Sequence, residues 1–179
     1  METRRTAIVI EEGDIAAAAV DAIVSPASTQ LTLDSGAAAA IARAAGPAIR
    51  EECARLAPIP LGHVAVTSGG DLPARHIVHA AGMEPAGAVD PSVLASLTRR
   101  VLEAADALGL ASVALPAIGT GTGGLGMQEC AQIMLAEAAR YAGGLREIRF
   151  VLSGEPAYRM FEQVRDAERI RMQMERLRR

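Results

Sequence analysis

Residues 113–130 read VALPAIGTGTGGLGMQEC: a short apolar run, a loop holding Gly119, Gly121, Gly123, Gly124 and Gly126, and then a helix-forming stretch. Glycines let a chain adopt positive φ and bring backbone N–H groups close to a bound anion. A helix start adds unpaired N–H groups and the positive end of its dipole. In an open α/β sheet ligands gather at the carboxyl ends of strands, where this loop sits. Phosphate or diphosphate cradling by Ile118, Gly119, Thr120, Gly121, Thr122, Gly123, Gly124 and Leu125 is therefore the expected chemistry, against the plainer reading of a flexible crossover. A second segment repeats the arrangement. Ser25-Pro26-Ala27-Ser28 leaves a strand, and Asp34-Ser35-Gly36-Ala37 opens an Ala-rich helix. Asp34 is expected either to cap that helix or to occupy its anion site. A third is Gly13-Asp14-Ile15, where Asp14 can accept from an exocyclic amine or cap the turn that follows.

Other chemistries are set aside by residue type. The spelling G-x-G-x-x-G occurs at Gly119/Gly121/Gly124 and at Gly121/Gly123/Gly126. A dinucleotide fingerprint also needs an acidic residue about 20 positions on, at the end of the next strand. Here Glu155 comes about 30 positions on, a poor fit to that pattern. All 18 basic residues are arginine, which removes the P-loop lysine and Schiff-base mechanisms. His76 and His79 are three apart on a predicted strand and point to opposite faces, so they do not share a metal. There is no G-x-S-x-G, H-E-x-x-H or zinc-spaced cysteine cluster.

The elements that must position these residues follow from apolar runs and breakers. Strands are expected at Thr6–Ile10, Asp21–Val24 (stopped by Ser25-Pro26), His63–Ser68, His76–Ala80, Ser112–Leu115 and Ile148–Leu152. Helices are expected at Ser35–Ala45, Pro47–Ala57, Pro91–Leu108, Met127–Tyr141 and from Pro156 to the end. The short strands are apolar without clean alternation, which suits a sheet covered on both faces. The fold class is thus α/β, a three-layer α-β-α sandwich. In the last helix Val164, Ala167, Ile170, Met174 and Leu177 form one apolar stripe. It is expected to cover its own domain, with a homodimer contact as the alternative.

The chain of 179 residues fits one domain. Aromatic residues make up only 2%, which counts against a site built on stacked rings, and the net charge of −3 does not favour nucleic acid as primary partner. Charge is uneven: residues 165–179 hold six Arg against Asp166, Glu168 and Glu175. Cys53 and Cys130 read as buried thiols in a reducing compartment. Without a signal-like or membrane-spanning segment, the expectation is a cytoplasmic protein with no membrane partner.

The three loops, in this order, resemble the macro domain, an ADP-ribose-binding module. The text that carries the resemblance is GDI at 13–15, VDAIV at 20–24, AIARAAGPAIREEC at 40–53, GHVAVTSGGDLPARHIVHAAG at 62–82, LASVALPAIGTGTGGLGM at 110–127 and FVLSGEPAYRMF at 150–161. It spans residues 6–161, so the domain is placed at 1–161, with 162–179 a basic continuation of the last helix. The resemblance implies a mixed, mostly parallel sheet. It implies that Asp14 holds the adenine amine and Ile15 lines the base. Ser35, Gly36 and Ala37 would face the distal ribose and diphosphate, and the 119–125 loop the diphosphate. Ser153 stands where an aromatic often faces the adenine, Gly123 where one often sits within the loop, and His79 where the family commonly has a histidine near the sheet core, which implies a structural role for it. The family's Asn-Ala-Ala-Asn is Ser25-Pro26-Ala27-Ser28 here. Ser28 lacks the amide that holds the distal ribose and supports hydrolysis, and Pro26 lacks a backbone donor. The expected function is thus a binding module for ADP-ribose, free or on an ADP-ribosylated protein, with no cofactor beyond that ligand. The alternatives are a hydrolase of ADP-ribosyl esters or proteins using Asp34 or Ser28, and a member that binds no nucleotide and acts through assembly by the terminal helix.

Overall fold

The computed structural model describes residues 5–178. Six strands and five α-helices alternate: β1 (Ala7–Glu12), a 3-10 turn (Ile15–Ala17), β2 (Ala22–Ser28), α1 (Gly36–Ala45), α2 (Ala48–Leu56), β3 (Val64–Ser68) and β4 (His76–Met83) come first. Then follow α3 (Pro91–Ala107), β5 (Ser112–Leu115), α4 (Met127–Arg140), β6 (Glu147–Leu152) and α5 (Glu155–Leu177). The strands form one sheet in the order β1-β6-β5-β2-β4-β3. All neighbours are parallel except the β3–β4 pair. This is the expected mixed, mostly parallel sheet.

Successive strand residues feed two separate cores, because side chains alternate across a sheet. Ala22 and Val24 of β2, Val113 and Leu115 of β5, and Ile148, Phe150 and Leu152 of β6 pack under α3, α4 and α5. Ile23, Ile77, Ala114 and Val151 point the other way, under α1 and α2. The lack of polar alternation in the sequence has this cause: both faces are covered. Cys130 lies in the first core and Cys53 in the second, both as free, buried thiols on opposite sides of the sheet. Phe150 and Phe161 meet in the first core with ring centroids 5.4 Å apart.

Three expectations are corrected. Strand β2 does not stop at Ser25-Pro26 but runs to Ser28. It pairs with β5 only through Ala22 and Ile23, so farther along it has one partner, β4, and a residue without an N–H is tolerated. Strand β4 likewise continues through Ala81 and Gly82 to Met83. The apolar stripe of α5 does not cover the body. Val164 is buried, but Ala167, Ile170, Met174 and Leu177 are exposed.

Two polar groups lock the frame. Asp21, just before β2, accepts from Ala111 N (2.8 Å), Ser112 N (3.0 Å) and Arg75 Nη2 (2.9 Å), joining the start of β5 to β2. Partial burial opposes ionisation there, but these donors outweigh it and hold the carboxyl below its ordinary range. His79, on β4, is fully buried between the sheet and α2, 2.9 Å from Thr67 Oγ1 and 3.6 Å from Cys53 Sγ. Desolvation pushes its pKa down to about 4, so it is neutral at pH 7. This is the core histidine expected from the sequence.

Candidate functional site

All five parallel strands deliver their carboxyl ends to one cleft of about 760 Å3. Asp14 and Ile15 reach it after β1, Ser28 at the end of β2, Met83 at the end of β4, Ile118 after β5 and Ser153 after β6. The volume lies within the ordinary range for small-molecule sites. The cleft is not filled by the protein's own side chains.

The wall after β5 is a backbone structure. The loop folds on itself: Leu125 N donates to Gly119 O (2.9 Å), Gly124 N to Gly121 O (3.1 Å) and Val89 N to Gly123 O (3.0 Å). The N–H groups of Ile118, Gly119, Thr120, Gly121, Thr122 and Gly123 have no acceptor among the described residues. These six residues line the cleft; Gly124 and Leu125 do not, and their N–H groups are spent inside the loop. Unsatisfied N–H groups in succession form an anion-binding concavity. Two glycines are needed on steric grounds. Gly119 takes φ +84°, and a Cβ on Gly123 would stand 2.7 Å from Val89 Cγ2 and 2.8 Å from Gly119 O.

The start of α1 lines the same cleft. Ser35 is its N-cap residue, yet its hydroxyl makes no capping bond, so Gly36 and Ala37 keep first-turn N–H groups that nothing caps. Ser35, Gly36 and Ala37 all line the cleft. Two donor-rich walls therefore flank one space. The sequence expectation that Asp34 caps α1 is corrected: its carboxylate pairs instead with Arg50 Nη1 at 3.3 Å and is largely exposed. The same guanidinium donates to Thr32 O (3.0 Å) and Leu33 O (3.3 Å). Leu31 (φ 52°) and Leu33 (φ 58°) hold left-handed backbone conformations in this segment, with their side chains sunk in the core. Arg50 thus braces a strained loop from outside the cleft.

Asp14 does cap the 3-10 turn, accepting from Ala16 N at 2.9 Å through Oδ1. Its Oδ2 has no partner among the described residues, and Asp14 and Ile15 both line the cleft. Ser28 Oγ accepts from Gln30 N at 3.4 Å. Ser25, by contrast, is fully buried, does not line the cleft, and its hydroxyl has no hydrogen-bond partner.

The charged side chains of the cleft are Glu12, Asp14 and Asp34; among the described residues no arginine and no aromatic ring lines it. An anion held here would meet main-chain amides and the hydroxyls of residues such as Ser35 and Thr122, and no positively charged side chain. No group of side chains suited to a metal occurs among the described residues, and no described helix is long and apolar enough to cross a membrane. The sequence reading missed the wall formed by Met83, Pro85, Ala86 and Val89. Its signal was present: residues 82–91 follow a parallel strand at its carboxyl end, where an α/β sheet places ligands.

Comparison with known proteins agrees with this geometry. An uncharacterised protein of Mycobacterium tuberculosis is 39% identical over 153 residues; the alignment covers 85% of this chain but only 43% of that protein, so the chain spans less than half of that relative's length. A macro domain-containing protein of Streptomyces coelicolor is 39% identical, with 87% of this chain and 96% of that protein covered. Among solved structures, the Oceanobacillus iheyensis macrodomain with ADP superimposes with TM-score 0.82 at 27% identity, covering 92% of this chain and 91% of that one. The Trypanosoma brucei macrodomain in complex with ADP-ribose gives TM-score 0.81 at 30% identity, covering 87% and 68%. The macro domain family model matches residues 24–134, a stretch that runs from β2 through both donor-bearing loops into α4. The chain belongs to the macro domain family.

Proposed function

We propose that this chain is a binding module for ADP-ribose, taken free or as the group carried by an ADP-ribosylated protein. The observation that carries the reading is the run of six acceptor-free amides, Ile118 to Gly123, in a loop that lines the same cleft as the uncapped start of α1. A diphosphate is the ligand group that uses both walls at once, because its oxygens accept from many converging N–H donors. At the far end, Asp14 Oδ2 accepts from the adenine amine, and Ile15, with Val151, supplies an aliphatic rather than aromatic surface for the base. Ser28 and Ser35 lie toward the distal ribose. Two of the solved macrodomains that resemble the chain were obtained with ADP and with ADP-ribose, which supports the same ligand class here.

Binding is favoured over hydrolysis by the state of the two candidate groups. A general base must reach the water it activates. Asp34 is engaged by Arg50, and Ser28 is a hydroxyl without a basic partner among the described residues. The buried, unpaired thiols favour a reducing compartment such as the cytoplasm. Titration calorimetry with ADP-ribose tests the reading: saturable heat is expected, and none at millimolar ligand refutes it. Release of ADP-ribose from a modified protein, lost in the Asp34→Ala, Ser28→Ala double variant, would replace binding by hydrolysis.

A further inference from the structure

We propose that the exposed end of α5 is a self-association surface, on which a second copy of this chain docks in parallel to form a short two-stranded coiled coil. The proposal is independent of the nucleotide reading, since these residues do not line the cleft.

Helix α5 is anchored by Ala157, Phe161 and Val164, all buried against the body. Beyond Arg165 every described residue is exposed, although the helix continues to Leu177. The segment reaches about 20 Å beyond the last buried turn at the α-helical rise per residue. A helix of that length is marginal in water without a packed face. Its face is nevertheless apolar: Ile170 is 62% exposed, Met174 51% and Leu177 83%.

The spacing of that face suits a helix partner. Ala167, Ile170, Met174 and Leu177 follow one another at intervals of 3, 4 and 3, the alternation of the two core positions in a heptad repeat. The flanks decide the occupant. One edge of the stripe carries Arg171 and Arg178, and the other carries Asp166 and Gln173. Two parallel copies bring Asp166 of one against Arg171 of the other, and Gln173 against Arg178. An antiparallel pair would set the arginine edges against each other. An anionic membrane fits less well, because Asp166 borders the apolar face that would meet the lipid. The ion pairs these groups make within the helix, Arg165–Asp166 and Arg171–Glu168, are exposed and weak enough to be exchanged. Met172 lies on the outer side of the helix and takes no part in the seam.

Sedimentation of the full chain over rising concentration tests this. The mass is expected to climb from 18.6 kDa toward twice that value, and an Ile170→Asp, Leu177→Asp variant to stay at the single-chain mass while keeping a cooperative melt that no longer depends on concentration. Direction is read by mild oxidation of Ile170→Cys, in which two thiols lose two protons and two electrons to the added oxidant and form one disulfide. Both native cysteines are buried, so the new thiol reports alone. Cross-linked dimer at Ile170→Cys but not at Arg169→Cys supports the parallel seam. A single-chain mass at every concentration, equal cross-linking at both positions, or capture on anionic vesicles with no rise in mass overturns the proposal.

Discussion

Replacing Gly123 by alanine should separate folding from recognition. A Cβ there would meet Val89 Cγ2 at 2.7 Å, Gly119 O at 2.8 Å and Gly119 Cα at 3.0 Å. Val89 could rotate, but Gly119 is backbone, held by the Leu125 N–Gly119 O bond at 2.9 Å. The two limbs of the loop must move apart. Overpacking of this kind costs about 1–3 kcal/mol, and each kcal/mol lowers the melting temperature of a domain this size by roughly 2–4 °C. The cost to binding is larger, because the spread limb carries the acceptor-free amides. One lost hydrogen bond to a charged group is worth about 1.5–3 kcal/mol, or roughly a 10- to 150-fold rise in Kd. Gly121 is the control: a Cβ there meets nothing within 4 Å, so Gly121→Ala should melt like the parent. Calorimetry with ADP-ribose and thermal melts on the three proteins decide the matter. A folded Gly123→Ala protein that binds with the parent's Kd would refute the claim that these amides hold the diphosphate.

Because the His79 pKa is depressed to about 4 in the fold, the unfolded chain takes up the proton first as pH falls below about 6.5. Stability should therefore fall between about pH 6.5 and 4, by roughly 3 kcal/mol at most, and melts of His79→Gln should lose that slope. Removing the Asp21 carboxylate strands the N–H groups of Ala111 and Ser112, so Asp21→Ala should cost about 2–4 kcal/mol in denaturant melts while the Kd for ADP-ribose stays unchanged. Asp14→Asn keeps an oxygen for Ala16 N but presents an amide N–H2 to the base. Calorimetry should show ADP-ribose binding weakened about 10-fold or more, and the hypoxanthine analogue discriminated against less. With Glu12, Asp14 and Asp34 lining the cleft and no arginine among its lining, raising salt from about 50 to 500 mM should not raise the Kd read by calorimetry, since screening relieves the repulsion between those carboxylates and the diphosphate.

The main elements were legible because their signals are local. Gly46-Pro47, Pro58, Pro60 and Gly109 punctuate the helices, and Ser112–Leu115 matches its strand. What the sequence hid was decided by neighbours. Pro26 reads as a stop, and only the absence of a second partner along that part of β2 shows why the strand passes it. The role of Asp34 depended on Arg50, sixteen positions away on another helix. The α5 stripe has the same periodicity whether it lies on the body or projects from it; the burial that ends at Val164 decides. Within the cleft, the glycine run and the strand exits pointed to residues that the structure brings to one space. Which amides remain free could be known only from the loop's internal bonds, which spend Gly124 and Leu125 and spare the six before them.

Recognition through the main chain has a consequence for how such a pocket drifts over time. The donors belong to the polypeptide itself, so they neither titrate nor vanish when a neighbouring codon changes. Exchange of Thr120 would give up its bond to Ala117 O but leave the amides of the loop in place, provided Gly119 and Gly123 keep it closed. A chain can carry Ser28 where the resemblance implies an asparagine and still keep the amides that the proposed reading assigns to the phosphates.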